Sequence, residues 1–114
     1  MSLTLKEPPQ THAPRREKRR EANWLAQVES AQGAALGRTA NVSLGGLLVL
    51  TSHTFKPKTE VTVRFHLRMP PDNHFIESRG RVVHEEPGDR MGIQFLQLQG
   101  TARLALREFI YGAD

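Results

Sequence analysis

The sequence predicts a mainly β fold: a six-stranded antiparallel barrel closed by one C-terminal α-helix and preceded by a flexible basic leader. Three observations carry this. Short runs with apolar residues two apart recur at roughly eight- to twelve-residue intervals, separated by Gly-, Pro- and Asn-containing breaks. The apolar period lengthens to that of a helix only after residue 100. The chain has 114 residues, enough for one modest core and not for two.

Taken in order, residues 1–14 contain Pro8, Pro9 and Pro14 without sustained periodicity and read as a disordered tail. Residues 15–20 are a charge cluster too polar for any core. Trp24 to Ser30 reads as a strand, with Trp24, Ala26 and Val28 two apart, and Gln32-Gly33 as a turn. Ala34 to Val42 is the second strand, with Leu36, Ala40 and Val42 on one face and Arg38 breaking the pattern. Ser43-Leu44-Gly45-Gly46 is a break, read locally as a tight turn or bulge in which the glycines supply positive φ. Leu47 to Thr51 is apolar on both faces, as in a central strand. After a turn at Pro57-Lys58, Glu60 to Arg68 alternates cleanly. Val61, Val63, Phe65 and Leu67 face one way; Thr62, Arg64, His66 and Arg68 face the other. Met69 to Asn73 is a turn, Phe75 to Glu85 a strand interrupted at Gly80, Pro87-Gly88-Asp89 a turn, and Met91 to Leu96 the last strand. Ala102, Leu106, Phe109 and Ile110 share one face of a helix over 101–111, with Thr101 as N-cap and Gly112 as stop. The barrel is thus expected over 24–97, inside a single domain of 15–112.

The charge is unevenly placed. The first twenty residues hold six Lys/Arg and two acids, a balance of +4, and the other 94 hold ten of each. A neutral domain with a basic leader argues for one localised anion site rather than a nucleic-acid-binding surface. The absence of cysteine excludes disulfides, thiol chemistry and cysteine metal sites. None of the five histidines stands in a metal-ligand spacing. Ser43 lacks the surroundings of a nucleophile elbow, and Gly45-Gly46 lacks the Lys and the helix of a phosphate loop. An enzyme is therefore not expected. No apolar run approaches the ~18 residues of a membrane span, and no signal-type segment opens the chain, so the expected compartment is the cytoplasm.

Two motifs remain. Arg16-Glu17-Lys18-Arg19-Arg20 has the spacing RxxxR, which Arg15 to Arg19 also satisfies. Asn41-Val42-Ser43-Leu44-Gly45-Gly46 has the spacing NxSxxG, one hairpin further along. In this order, with Leu47-Leu48-Val49 and Gly92-Ile93-Gln94-Phe95 as strand patterns, the chain resembles the PilZ domain family, bacterial receptors for cyclic di-GMP. The family pattern RRxxxR favours Arg16 and Arg20 over Arg15 and Arg19. The resemblance implies a PilZ-type barrel, cyclic di-GMP as ligand without further cofactor or metal, and a ligand-binding set of Arg15, Arg16, Arg20, Asn41, Ser43, Gly45 and Gly46. It also implies output in motility, biofilm or exopolysaccharide control through an unidentified downstream protein. A basic residue at Arg15 goes, in the family, with binding of a stacked pair of ligands.

The residue types suit that ligand on their own terms. Arginine presents a planar fork to guanine O6/N7 or to a phosphate, and stacks on a base. Residues 41 and 43, two apart on an extended segment, project to one face, with Val42 and Leu44 turned to the core. The Asn41 amide and the Ser43 hydroxyl can serve a guanine edge, and Gly46 leaves room for close approach of backbone to ligand. Two other readings stand beside this one: a PilZ-like interaction module that does not bind the nucleotide, and a small nucleic-acid-binding barrel. The second is disfavoured by a neutral barrel with few aromatics to stack on bases.

Overall fold

The structure is a computed structural model that describes residues 18–112. Seven strands precede one helix: β1 (Arg20–Glu21), β2 (Leu25–Ser30), β3 (Gly33–Val42), β4 (Gly46–Thr51), β5 (Glu60–Met69), β6 (Asp72–Glu86), β7 (Arg90–Phe95) and α1 (Gly100–Tyr111). The hydrogen-bonded order β3-β2-β5-β6-β7-β4 returns onto β3, so six strands close an all-antiparallel barrel. Closure leaves no exposed sheet edge within that ring. The two-residue β1 pairs with the end of β3.

Inward residues alternate as the pleat requires. Trp24, Ala26 and Val28 are buried, as are Val61, Val63, Phe65 and Leu67 of β5. Trp24 stacks on Phe65, with centroids 5.8 Å apart, and meets Phe109 of α1 edge-on at 4.7 Å. Helix α1 packs against β5 and β6 through Ala105, Leu106 and Ile110, with Ala102 and Phe109 at the margin.

Several local expectations are corrected. Leu36 is 64% exposed and shares the outer face with Arg38; the inward residues of β3 are Ala35, Thr39 and Val42. The reason is a bulge. Thr39 pairs with Val49 and Asn41 with Leu48, leaving Ala40 as the extra residue that reverses the alternation. Thr39 is a buried polar side chain because its Oγ1 accepts the Trp24 N–H at 2.9 Å. Strand β4 is not apolar on both faces in the sense of full burial, since Leu50 is turned outward. Gly80 does not interrupt β6. It lies mid-strand, where a Cβ would come within 2.8 Å of Ile93 Cγ2. The N-cap of α1 is Gln99 rather than Thr101, without a side-chain cap, and Gly112 closes the helix by donating to the Glu108 carbonyl.

Candidate ligand-binding site

The two sequence motifs, some twenty residues apart in the chain, meet in space. β1 runs antiparallel to the end of β3, with Arg20 opposite Val42 and Glu21 opposite Asn41. The Ala22 N–H donates to the Ala40 carbonyl freed at the bulge, which extends this contact. The end of the leader is thereby laid along the Asn41–Gly46 segment.

Val42 is fully buried, so Asn41 faces outward, as expected. Its Oδ1 is nevertheless buried and has no hydrogen-bond partner among the described residues. Ser43 behaves differently from expectation. It is only 2% exposed, and its Oγ accepts the Gly45 and Gly46 N–H groups, each at 3.2 Å, which closes the turn between β3 and β4. The same oxygen lies 3.4 Å from Nη1 of Arg19.

Gly45 and Gly46 do not supply positive φ; Gly33, Gly88 and Gly100 do. What demands glycine at 46 is crowding: a Cβ there would meet the Ile93 carbonyl oxygen at 2.1 Å. Hence β7 backbone, not a ligand, occupies the space that the missing side chain leaves. Gly45 holds β7 in place from its other side, its carbonyl accepting the Phe95 N–H.

Of the leader arginines, Arg15 and Arg16 lie outside the described residues. Arg20 turns away from Asn41 and Ser43. Its Nη1 donates to the Phe109 carbonyl in the last turn of α1, and its guanidinium lies 4.3 Å from the Phe109 ring centroid. The C-terminal end of a helix dipole suits a cation, so the position is electrostatically natural. Lys18 likewise lies over Tyr111, at 5.4 Å. Arg19 is the leader arginine beside Ser43.

A residue that sequence patterns gave no reason to select completes the surface. Asn41 opposes Leu48, Leu48 opposes Gly92, and Gly92 opposes His84, so the four form one outward row across β3, β4, β7 and β6. At three strand spacings the row spans about 14 Å. His84 lies across Gly92, where a Cβ would come within 2.3–2.8 Å of its ring atoms. Its ring is held by Glu86 Oε2 at 2.9 Å. A second bulge, between Val82 and His84, puts it there. Among the described residues, no group of three His, Asp or Glu side chains could hold a metal ion.

The PilZ domain family profile matches residues 13–112. Three solved structures share the fold. The inhibitor of motility of Bacillus subtilis (MotI/DgrA) superposes with a TM-score of 0.73 at 16% identity, over 86% of this chain and 49% of that one. The PilZ domain of CeSA from a cellulose-synthesizing bacterium gives 0.62 at 20% identity, over 83% and 96%. The PilZ domain of YcgR from Escherichia coli, solved with c-di-GMP, gives 0.66 at 14% identity, over 85% and 88%. The chain thus spans about half the length of the first of these and most of the isolated PilZ domains. No curated protein sequence matches it. The chain belongs to the PilZ domain family.

Proposed function

We propose that this PilZ domain is a cytoplasmic, non-catalytic receptor for cyclic di-GMP that acts through a partner protein. The observation that supports the reading is the pairing of the end of the basic leader with Asn41 and Val42, with Arg19 beside Ser43, two residues from an outward amide whose acceptor is unused among the described residues. A guanine N–H is the donor that Asn41 Oδ1 lacks, and the flat His84 ring at the far end of the row offers a surface for a base. The leader arginines supply charge and planar donor forks for phosphates and guanine edges. Family members whose solved forms carry this ligand, such as the YcgR domain, support the same assignment.

Among the leader arginines, the reading assigns Arg16 and Arg20 as the motif, with Arg15 just before it. Arg20 must exchange the Phe109 carbonyl and ring for ligand groups. Binding therefore rearranges the leader relative to α1, and the altered surface is what a partner would read. No helix among the described residues is long and apolar enough to cross a membrane. Control of motility, biofilm or exopolysaccharide follows from the family.

Calorimetric titration of the full chain with cyclic di-GMP, with GMP and cyclic di-AMP as controls, tests the reading. Saturable binding of cyclic di-GMP alone is expected. No heat with cyclic di-GMP, or equal binding of GMP, would overturn it.

A further inference from the structure

On the barrel wall away from the candidate nucleotide row, the outer faces of β2, β3 and β6 carry large apolar side chains in the open. Leu25 is 61% exposed, Leu36 64% and Phe75 59%. Register places them together: Leu25 opposes Arg38, Gln27 opposes Leu36, and His66 opposes Phe75. They line a groove of about 610 Å³. A second depression of about 310 Å³ shares Leu25, Arg38 and His66 with it and adds Arg68, Asn23 and Asn73. A contiguous apolar area of this kind on a small domain is unusual without a use.

Its charge says what would cover it. No carboxylate lines either depression. Arg64 is already held by Glu29 at 2.8 Å and Glu77 at 2.9 Å. Arg38 instead donates to the neutral Asn23 side chain, so its charge is not balanced there. Arg38, Arg68 and His66 thus rim an apolar floor. The leader's cations at 15–20 would be repelled, and residues 1–14, with Lys6 against Glu7, bring no net negative charge to balance Arg38 and Arg68. A second copy docking face to face would set Arg38 and Arg68 against themselves, which disfavours a two-fold dimer through this wall. Nucleic acid would find phosphate partners, but the rings open to it, Phe75 and His66, are tilted 58° against each other rather than laid out as a stacking platform, and aliphatic side chains surround them.

We infer that this wall is the docking surface for an acidic segment of a partner protein, whose apolar side chains enter the Leu25–Leu36–Phe75 groove while its carboxylates meet Arg38 and Arg68. The inference rests on the reading that output passes through a protein partner, and it names that partner's chemistry. It does not require the nucleotide.

The probe is a displayed library of random 16-residue peptides, selected on the full chain and counter-selected on the Leu36→Gln/Phe75→Gln double variant. Both side chains are more than half exposed, so the double variant keeps its fold, checked by its melting temperature. Selected peptides should be rich in Asp and Glu interspersed with Leu, Ile, Phe or Trp. Synthetic versions should bind at least about tenfold more weakly to the double variant and to Arg38→Glu, and weaken with salt. Peptide titration by NMR should shift the amides of Leu25, Leu36 and Phe75. Cyclic di-GMP titrations on the same variants should match wild type, so a failed nucleotide reading and a failed docking surface give separate signatures. Basic or charge-neutral peptides, or no peptide dependent on Leu36 and Phe75, would overturn the inference. So would a 16-nucleotide single strand that binds there more tightly than any peptide, or a dimer that Leu36→Gln dissolves.

Discussion

The position of Arg20 leads to a test in which two substitutions at one contact have opposite effects on the ligand and the same effect on the fold. Arg20 donates to the Phe109 carbonyl and lies 4.3 Å from its ring centroid. The contact is exposed, so each part is taken at the low end of its range: about 1 kcal/mol for the charged hydrogen bond and about 0.5 kcal/mol for the ring. Arg20→Ala should therefore cost about 1–2 kcal/mol, a fall in Tm of about 5–10 °C for a domain this size. If Arg20 is also a ligand arginine, the same change removes about 2–4 kcal/mol of binding, or roughly 30- to 700-fold in Kd. Phe109→Leu keeps apolar bulk against Trp24 and removes only the ring beneath the guanidinium. Tm should fall again, but Arg20 is now cheaper to withdraw. Affinity should rise by about two- to fivefold, the equivalent of about 0.5–1 kcal/mol. Calorimetry with cyclic di-GMP and thermal denaturation read both quantities. Phe109→Leu binding that is unchanged or weaker would refute the exchange of α1 for ligand. Unchanged binding in Arg20→Ala would move the motif to Arg15 and Arg19.

The other expectations concern the second motif and the leader. Asn41→Leu should leave Tm unchanged or higher, because it removes an acceptor that is buried without a partner, while cyclic di-GMP affinity falls at least tenfold; a fall in Tm without loss of affinity would contradict the assignment. Ser43→Ala should lower stability by about 1–2 kcal/mol, since the Gly45 and Gly46 amides lose their acceptor, and those two amides should exchange with deuterium faster than in wild type. The ligand should bind as a stacked pair, giving a calorimetric ratio near two that drops in Arg15→Leu; a ratio of one in wild type would make Arg15 a bystander.

The strand alternation of β5 was legible residue by residue, because one buried face and one wet face impose a period of two on any strand between them. The pairing of Arg20–Glu21 with Val42–Asn41 was not legible, since no local pattern announces a two-residue strand. The faces of β3 were misread before the bulge. Ala40 looks like any small strand residue, and only cross-strand register reveals that it has no partner of its own. The turn-closing role of Ser43 was not legible, because a serine before two glycines has the same appearance whether it closes a turn or faces a ligand. The need for glycine at 46 came from β7, a strand more than forty residues later in the chain, which no window of sequence contains.

The extra residue at Ala40 gives one strand two addresses. Were Ala40 paired like its neighbours instead of bulged, Leu36, Arg38, Ala40 and Val42 would lie on a single side and Asn41 would point into the barrel. With the bulge, the first half of β3 turns Leu36 and Arg38 outward on the proposed docking wall, and the second half turns Asn41 outward on the candidate nucleotide row. Deleting Ala40 would restore regular pairing of Thr39 and Asn41 with Val49 and Leu48 and keep Val42 buried, but it would remove the carbonyl that accepts the Ala22 N–H and ties β1 to β3. The proposed docking wall and the candidate nucleotide row are joined through four consecutive residues of a single backbone, Arg38 to Asn41, with the kink as the joint between them.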